Sequence, residues 1–159
     1  MIYTLLIREL TAADCLPIAK AFAAQGWEKP KEQYQRYLAE SQSGQRTVLV
    51  AEVDGQFAGY LTVVWVSGYP PFREAGIPEI VDLNVLKKFQ RRGIGSALMD
   101  EAEQRIAAVS SIAGIGVGLT ADYGAAQILY VRRGYVPDGR GELGRPHVST
   151  PLTVRNRVC

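Results

Sequence analysis

Strands are predicted along much of the chain by alternating apolar and polar positions and by runs of β-branched residues. Residues 47–53 and 57–66 are two such runs. They meet at Asp54-Gly55, a pair that tolerates the left-handed conformations of a tight turn, and so predict an antiparallel hairpin. Further strands are predicted over residues 5–8, 79–85 and 114–120, and a weakly alternating, proline-containing tail over 148–154 predicts an edge strand.

Helical spacing of apolar residues predicts helices between these strands. Thr11 can cap a helix over 12–24, but Pro17 inside this span also allows a later start with Asp14 as the cap. The exact start stays open at this point. Residues 31–40 predict a second helix, mostly polar and therefore at the surface.

A third helix is predicted to begin near Ser96, because apolar residues four apart form a stripe that would pack on the sheet. The stripe consists of Ile94, Leu98, Ala102 and Ile106. Residues 68–76, by contrast, contain two prolines and show no periodicity, which predicts a loop. In the strand over 114–120 three glycines share one face, which indicates the close approach of a helix or, as the alternative, of a ligand.

The most specific chemical feature is the glycine turn Gln90-Arg91-Arg92-Gly93-Ile94-Gly95, which lies between the strand 79–85 and the third helix. The first turn of a helix leaves several N–H groups unpaired, and the helix dipole adds partial positive charge there. The glycines let an oxygen-rich ligand approach the backbone, and the two arginines add charge and forked donors. The spacing is neither that of a Walker loop nor that of the dinucleotide fingerprint. The turn therefore predicts an anion site of another kind.

This turn resembles the Gln/Arg-x-x-Gly-x-Gly/Ala signature of the GNAT superfamily of N-acetyltransferases. Residues 80–85 are similar to the central strand of that family, and Ala126-Gln127-Ile128-Leu129-Tyr130 followed by Gly134-Tyr135 is similar to its second signature. The resemblance implies a single domain over residues 1–159 with an α/β (α+β) fold. The expected architecture is a central mixed, mostly antiparallel sheet of six to seven strands flanked by about four helices, with a cleft between the fourth and fifth strands.

In this family the cleft holds acetyl-coenzyme A, and the resemblance assigns contacts to the coenzyme residue by residue. The backbone at the end of the central strand would pair with the pantetheine arm, and the glycine turn would hold the diphosphate. The implied contacts are Leu83, Asn84, Val85, Arg91, Arg92, Gly93, Ile94, Gly95, Ser96 and Ala126. One position departs from the family pattern, since Tyr123 stands where many relatives carry asparagine.

Acetyl transfer by direct attack requires an uncharged amine and a proton for the departing thiolate. The resemblance implies Glu79 as the group that accepts the amine proton, although an exposed strand-end carboxylate is an equal alternative. Asp82 is the reserve candidate, on the opposite face of a regular strand. Tyr130 matches the family tyrosine that protonates the thiolate, whereas its spacing alone would make it a core residue.

The resemblance leaves the acceptor open: a small amine, an amino acid, an antibiotic or a protein amine. A hydroxyl acceptor is a further reading. The alternative function is a coenzyme-A-binding sensor or interaction module without turnover.

Composition limits the other functional classes. The chain has 159 residues, 47% of them hydrophobic and 21% charged, which is typical of one soluble domain. A net charge of +2 argues against nucleic-acid binding, and no apolar run is long enough to span a membrane. Cys15 and Cys159 have no histidine or cysteine partner nearby, so neither a metal site nor a disulfide is expected, and a cytoplasmic location is inferred.

His147 is interpreted as a loop residue. The C-terminal segment is expected to be completed by contacts in a homodimer or to be frayed.

Overall fold

The computed structural model describes residues 3–117, 124–137 and 150–155, which form one mixed sheet covered on both faces. Tyr60 and Leu61 are neighbours on one strand and both are fully buried, although neighbouring strand residues point to opposite faces. The strands are β1 (Leu5–Glu9), β2 (Arg46–Val53), β3 (Gln56–Val64), β4 (Glu79–Val85), β5 (Ile112–Val117), β6 (Val136–Pro137) and β7 (Thr150–Arg155). The helices are α1 (Cys15–Ala24), α2 (Lys31–Gln42), α3 (Pro70–Ala75), α4 (Ile94–Ala107) and α5 (Gly124–Arg132).

The strands lie in the order β1-β2-β3-β4-β5-β7-β6, and among these described strands β4 and β5 are the one parallel pair. Their pairing consists of Glu79 with Gly114 and Ile80 with Ile115. Beyond these two pairs β5 continues beside β7, up to Val117 opposite Thr150. The two parallel strands therefore separate after the start of β4, at the place where the resemblance predicts a cleft.

The predicted hairpin is confirmed. Strands β2 and β3 pair antiparallel from Arg46 opposite Val64 to Val53 opposite Gln56. Asp54 and Gly55 connect them with φ angles of 50° and 81°, the left-handed values that a two-residue hairpin turn requires.

The first helix begins at the later of its two predicted starts. A 3-10 turn over Ala12–Asp14 comes first, in which the Asp14 carboxylate accepts the backbone N–H of Thr11 at 2.7 Å. Asp14 then caps α1, and Pro17 falls in its first turn, where a proline removes no helical hydrogen bond. Helix α2 lies at the surface as predicted: its polar side is exposed, and Tyr34 and Tyr37 are buried on the other side.

The predicted loop over 68–76 is wrong, because Pro70–Ala75 form helix α3. The two prolines occupy the first two helical positions, where their fixed φ suits the helix and their missing N–H groups would have been unpaired in any case. Gly76 ends the helix with a φ of 68°. The described chain thus has five α-helices where about four are expected.

Helix α4 begins at Ile94, slightly before the predicted start, and its stripe of Ile94, Leu98, Ala102 and Ile106 is buried as predicted. Strand β5 begins earlier than predicted, at Ile112, and residues 118–120 lie outside the described ranges. A Cβ atom on Gly114 would lie 2.5 Å from the ring of Phe72 in α3, which supports close helix approach at this glycine. The predicted edge strand in the tail is instead an inner strand, since β7 pairs with β5 on one side and with β6 on the other.

A β-bulge in β4 reverses the expected alternation of side chains. Thr62 of β3 lies opposite Val81 and Tyr60 lies opposite Asn84, so two residues of β4 face one of β3. Asp82 occupies the bulge with a φ of 65°. Asp82 was predicted on the face opposite Glu79, and this is wrong: the Asp82 carboxylate bonds the hydroxyl of Tyr60, and Tyr60 lies on the same face of β3 as Val64, the partner of Glu79.

Gly59 allows β3 to approach β4 closely beside this bulge. A Cβ atom on Gly59 would lie 2.6 Å from the carbonyl oxygen of Asn84 and 3.0 Å from the Cα of Val85, and both are backbone atoms that have little room to move. We expect Gly59→Ala to lower the free energy of unfolding by about 1–3 kcal/mol, the usual effect of overpacking. Urea titration measures the change. Gly68→Ala is the matched control, because a Cβ on Gly68 meets nothing within 4 Å. Equal stability of the two variants would contradict the prediction.

Candidate active site

The glycine turn presents unpaired backbone donors at the start of α4. Gly93 caps the helix with a φ of 78°, and Arg91 also has a left-handed φ of 65°. The first helical hydrogen bond runs from the N–H of Ala97 to the carbonyl of Gly93, at 3.0 Å. Within the described residues no acceptor is recorded for the N–H groups of the three preceding residues, 94–96, and no side chain caps the helix. This arrangement leaves room for an anion at the helix end.

Basic side chains surround the turn. Lys87, Lys88, Arg91 and Arg92 are all exposed, and the first turn of α4 contains no acidic residue. The ammonium of Lys88 and the guanidinium of Arg92 lie 5.2 Å and 5.6 Å from the centre of the Phe89 ring. Both the backbone and the side chains of the turn therefore favour the binding of a negatively charged group.

The turn is held in place by contacts from two other parts of the chain. The side-chain amide of Gln90 donates to the carbonyl of Val85 at 3.1 Å, which ties the turn to the end of β4. The hydroxyl of Tyr3 donates to the carbonyl of Arg92. Sequence reasoning missed Tyr3, since nothing in the spacing of residue 3 relates it to residue 92.

Glu79 lies at the start of β4, where that strand still pairs with β5. Its Oε1 accepts the hydroxyl of Ser67, and burial raises the pKa of the Glu79 carboxyl above its ordinary value. The Ser67 hydrogen bond and the charge of Arg46 oppose this rise. The alternative of an exposed strand-end carboxylate does not hold for its exposure, because the Glu79 residue is half-buried.

Asp82 is held by several donors. Its Oδ2 accepts the hydroxyls of Tyr60 at 2.7 Å and of Tyr37 at 2.8 Å, and its Oδ1 accepts the side-chain amide of Asn84. The ammonium of Lys29 lies 3.9 Å from Oδ1. Burial, and then the charge of Asp82, raise the pKa of Tyr37 to about 12, so that this donor keeps its proton. These donors occupy most of the positions at which the Asp82 carboxylate can accept a hydrogen bond.

Tyr130 lies on α5 among the buried residues of the core, with 5% of its surface exposed. Its ring meets that of Tyr135 edge to face, with centroids 6.1 Å apart. The neighbouring Leu129 lies beside the glycine turn, because a Cβ atom on Gly95 would be 3.4 Å from its Cδ2. Helix α5 thus lies against the first turn of α4 at Leu129, the neighbour of Tyr130.

Arg133 fastens the end of α5 to α4. Its guanidinium makes two bonds to Glu103, of 3.1 Å and 2.6 Å, and one to Asp100 of 2.6 Å. The hydroxyl of Tyr135 donates to Glu103 at 3.0 Å. A two-pronged guanidinium–carboxylate pair fixes direction as well as distance, so this contact sets the orientation of the end of α5 relative to α4.

The remaining predicted contacts lie in β4 and in α5. Leu83, Asn84 and Val85 form the end of β4, where no pairing with β5 is recorded among the described residues. Ala126 lies in α5. Tyr123, His147 and Cys159 fall outside the described ranges, and Cys15 is a buried free cysteine.

The described residues also bear on metal and membrane binding. In these ranges no group of three or more histidine, cysteine, aspartate or glutamate side chains is placed to hold a metal ion. None of the helices described has the length and apolar character that a membrane span demands.

Comparison with known proteins identifies the class. The family model described as the acetyltransferase (GNAT) domain matches residues 44–137, more than half of the chain. The chain belongs to the GNAT acetyltransferase family and is an acyltransferase of the N-acetyltransferase type. No curated protein matches it.

Three solved structures share the fold over nearly the whole chain. A GNAT-family protein from Desulfovibrio desulfuricans is 15% identical, with 96% of this chain and 99% of that chain covered and a TM-score of 0.76. The PaiA N-acetyltransferase from Thermoplasma acidophilum, in complex with coenzyme A, is 15% identical, with 96% and 99% covered and a TM-score of 0.70. A ribosomal-protein-alanine N-acetyltransferase from Brucella melitensis is 22% identical, with 94% and 99% covered and a TM-score of 0.70. At these identities the likeness is one of fold.

Proposed function

We propose that this protein transfers an acetyl group from acetyl-coenzyme A to a primary amine by direct attack of the amine on the thioester. The observation that carries the proposal is the position of the glycine turn. It presents unpaired N–H groups and exposed arginines at the end of the opening between β4 and β5, and Glu79 lies at the other end of β4. An elongated thioester with a charged diphosphate fits such a site, because one end needs donors and the other needs a base.

The coenzyme would bind along β4 and over the start of α4. Residues 91–96 bind the diphosphate through backbone N–H groups and the arginine side chains. The backbone of Leu83, Asn84 and Val85 pairs with the amide groups of the pantetheine arm, in the place of the missing β5 neighbour. Ala126 on α5 borders the same arm. The complex of the Thermoplasma enzyme with coenzyme A supports coenzyme binding by this fold.

The chemistry divides between Glu79 and Tyr130. Glu79 accepts the proton of the amine, whose nitrogen forms a bond to the carbonyl carbon of the thioester. The bond from that carbon to sulfur then breaks, and Tyr130 gives its proton to the departing thiolate. The products are an amide and free coenzyme A. Asp82 is no longer the reserve base in this scheme, since its oxygens are taken up by neighbouring donors.

The acceptor is a small-molecule or peptide amine. The Brucella protein, by its name, acts on the alanine of a ribosomal protein, which supports an amine acceptor for this fold. The scarcity of cysteine supports a cytoplasmic location. A homodimer is likewise only proposed, and the described part of the C-terminal segment, β7, is already paired with β5 and β6.

Release of free thiol from acetyl-coenzyme A, measured across a panel of amines, tests the proposal. We expect at least one amine to raise thiol release above the rate of spontaneous hydrolysis. Alcohols in the same panel test a hydroxyl acceptor. Saturable calorimetric binding of acetyl-coenzyme A without thiol release for any acceptor would instead favour a binding module without turnover.

A matched pair of substitutions at Gly93 tests the anion site. Asparagine and aspartate both tolerate a left-handed φ and have similar size, so Gly93→Asn and Gly93→Asp differ chiefly in charge. We expect the aspartate variant to bind acetyl-coenzyme A about tenfold more weakly than the asparagine variant, because a carboxylate would lie beside the diphosphate. The difference should shrink as salt is added. Calorimetry at two salt concentrations measures it, and equal affinities at low salt would contradict a diphosphate at this turn.

A further inference from the structure

Ser67 joins the start of α3 to Glu79. It is 1% exposed and lies in the segment between β3 and α3. Its Oγ accepts the backbone N–H of Tyr69, the residue that caps α3, at 3.0 Å. Its hydroxyl donates to Oε1 of Glu79.

The direction of this second bond is fixed by chemistry. A serine hydroxyl has one proton, and the N–H of Tyr69 needs an acceptor, so the proton of Ser67 is free to go to the carboxylate. The structure records no hydrogen-bond partner for the other oxygen of Glu79, Oε2, within the described residues. One oxygen of the carboxylate is therefore held, and the other is available to a substrate amine.

We propose that Ser67 is a positioning residue for acetyl transfer: its hydroxyl orients the Glu79 carboxylate and stabilises the ionised form that accepts the amine proton. The proposal rests on the proposed function, in which Glu79 is the base. It assigns a role to a residue for which the sequence offers no motif.

The charges near Glu79 support this role. Arg46 of β2 is the charged group whose field reaches the carboxylate, and it opposes the rise in the Glu79 pKa. Arg46 is itself engaged, since its Nε bonds Glu40 of α2 at 2.6 Å and its Nη1 bonds the hydroxyl of Thr62 at 2.6 Å. Ser67 is thus the one direct hydrogen-bond donor to Glu79 recorded among the described residues. Without it, the ionised Glu79 carboxylate would keep only the charge of Arg46, which also pairs with Glu40.

The test compares the pH dependence of kcat/KM in Ser67→Ala, Ser67→Thr and the wild-type enzyme. Removing a donor to a carboxylate favours its protonated form. The acid limb, which is the fall of kcat/KM at low pH, should therefore move to higher pH by about one pH unit in Ser67→Ala. At pH values below the wild-type limb the rate falls about tenfold, and at higher pH it recovers. Ser67→Thr restores a hydroxyl and should return the limb towards its wild-type position. A loss of activity by the same factor at every pH would overturn the proposal.

A second measurement separates this proposal from that of the Glu79 base. Carbon-13 NMR titration of the Glu79 carboxyl reports its pKa without any need for turnover. We expect a higher pKa in Ser67→Ala than in wild type, and no change in Ser110→Ala. Ser110 also accepts a backbone N–H and donates its hydroxyl, but both bonds are to Ile112 and neither is to Glu79. An unchanged Glu79 pKa in Ser67→Ala refutes the role of Ser67. A raised pKa with an unmoved acid limb supports the contact but refutes Glu79 as the base.

Discussion

Replacing Glu79 by glutamine is expected to lower kcat/KM about 10²–10⁴-fold at neutral pH, the usual contribution of a positioned general base. Glutamine has nearly the same shape, and its carbonyl oxygen can still accept the hydroxyl of Ser67. The proposed coenzyme contacts lie farther along β4 and at the turn, so binding of acetyl-coenzyme A should be unchanged. Initial rates of thiol release and calorimetry of coenzyme binding measure the two quantities separately.

The pH profile supplies the sharper form of this prediction. Burial raises the pKa of Glu79 above that of an ordinary glutamate, so wild-type activity should fall as the pH drops through this raised value. Glu79→Gln should lack this acid limb. The loss at low pH is not unfolding caused by Glu79, because a raised folded-state pKa means that protonation of this group favours the folded state. The stabilisation that protonated Glu79 gives the folded state is complete below the unfolded-state pKa of this group. It is lost as the pH rises through its folded-state pKa.

Asp82→Asn is the control for this experiment. Asp82 bonds two tyrosine hydroxyls, so its replacement should lower stability, which thermal unfolding measures. In Asp82→Asn the fall of activity at low pH should nevertheless occur at the same pH as in wild type. If the limb persists in Glu79→Gln and disappears in Asp82→Asn, the base is Asp82 and the assignment to Glu79 is wrong.

The features that sequence reasoning predicts correctly are those fixed by a few neighbouring residues. Asp54 and Gly55 determine a hairpin turn by their backbone preferences, and the buried stripe of α4 follows from the spacing of apolar residues. The glycine turn belongs to the same class, because Gly93 has the left-handed φ that its lack of a side chain permits.

The features that it misses depend on contacts between distant parts of the chain. The bulge at Asp82 arises from the register between β3 and β4, so simple alternation placed Asp82 on the wrong face. The role of Ser67 depends on a bond to a residue twelve positions later, and that of Tyr3 on a bond 89 positions later. Helix α3 was missed for a local reason: two consecutive prolines were taken as the mark of a loop, although they also suit the first turn of a helix.

The assignment of Tyr130 combines the family resemblance with the packing of α5. The family resemblance implies a tyrosine near the sulfur of the coenzyme. In the structure Leu129 of α5 lies beside Gly95 in the first turn of α4, and Arg133, just after α5, bonds Glu103 farther along α4. The burial of Tyr130 agrees equally with a purely structural role. Stability and turnover must therefore be measured on the same variants.

Tyr130→Phe is expected to lower kcat about 10²–10⁴-fold, because the departing thiolate loses its proton donor. Affinity for acetyl-coenzyme A should change little, since phenylalanine keeps the ring and its packing against Tyr135. Tyr135→Phe is the matched control: it removes the hydroxyl that bonds Glu103, so we expect lower stability and a nearly unchanged kcat. Thiol-release kinetics, calorimetry and thermal unfolding on both variants give the three readouts. Equal kcat for Tyr130→Phe and wild type would remove this hydroxyl from the mechanism and leave solvent as the proton source.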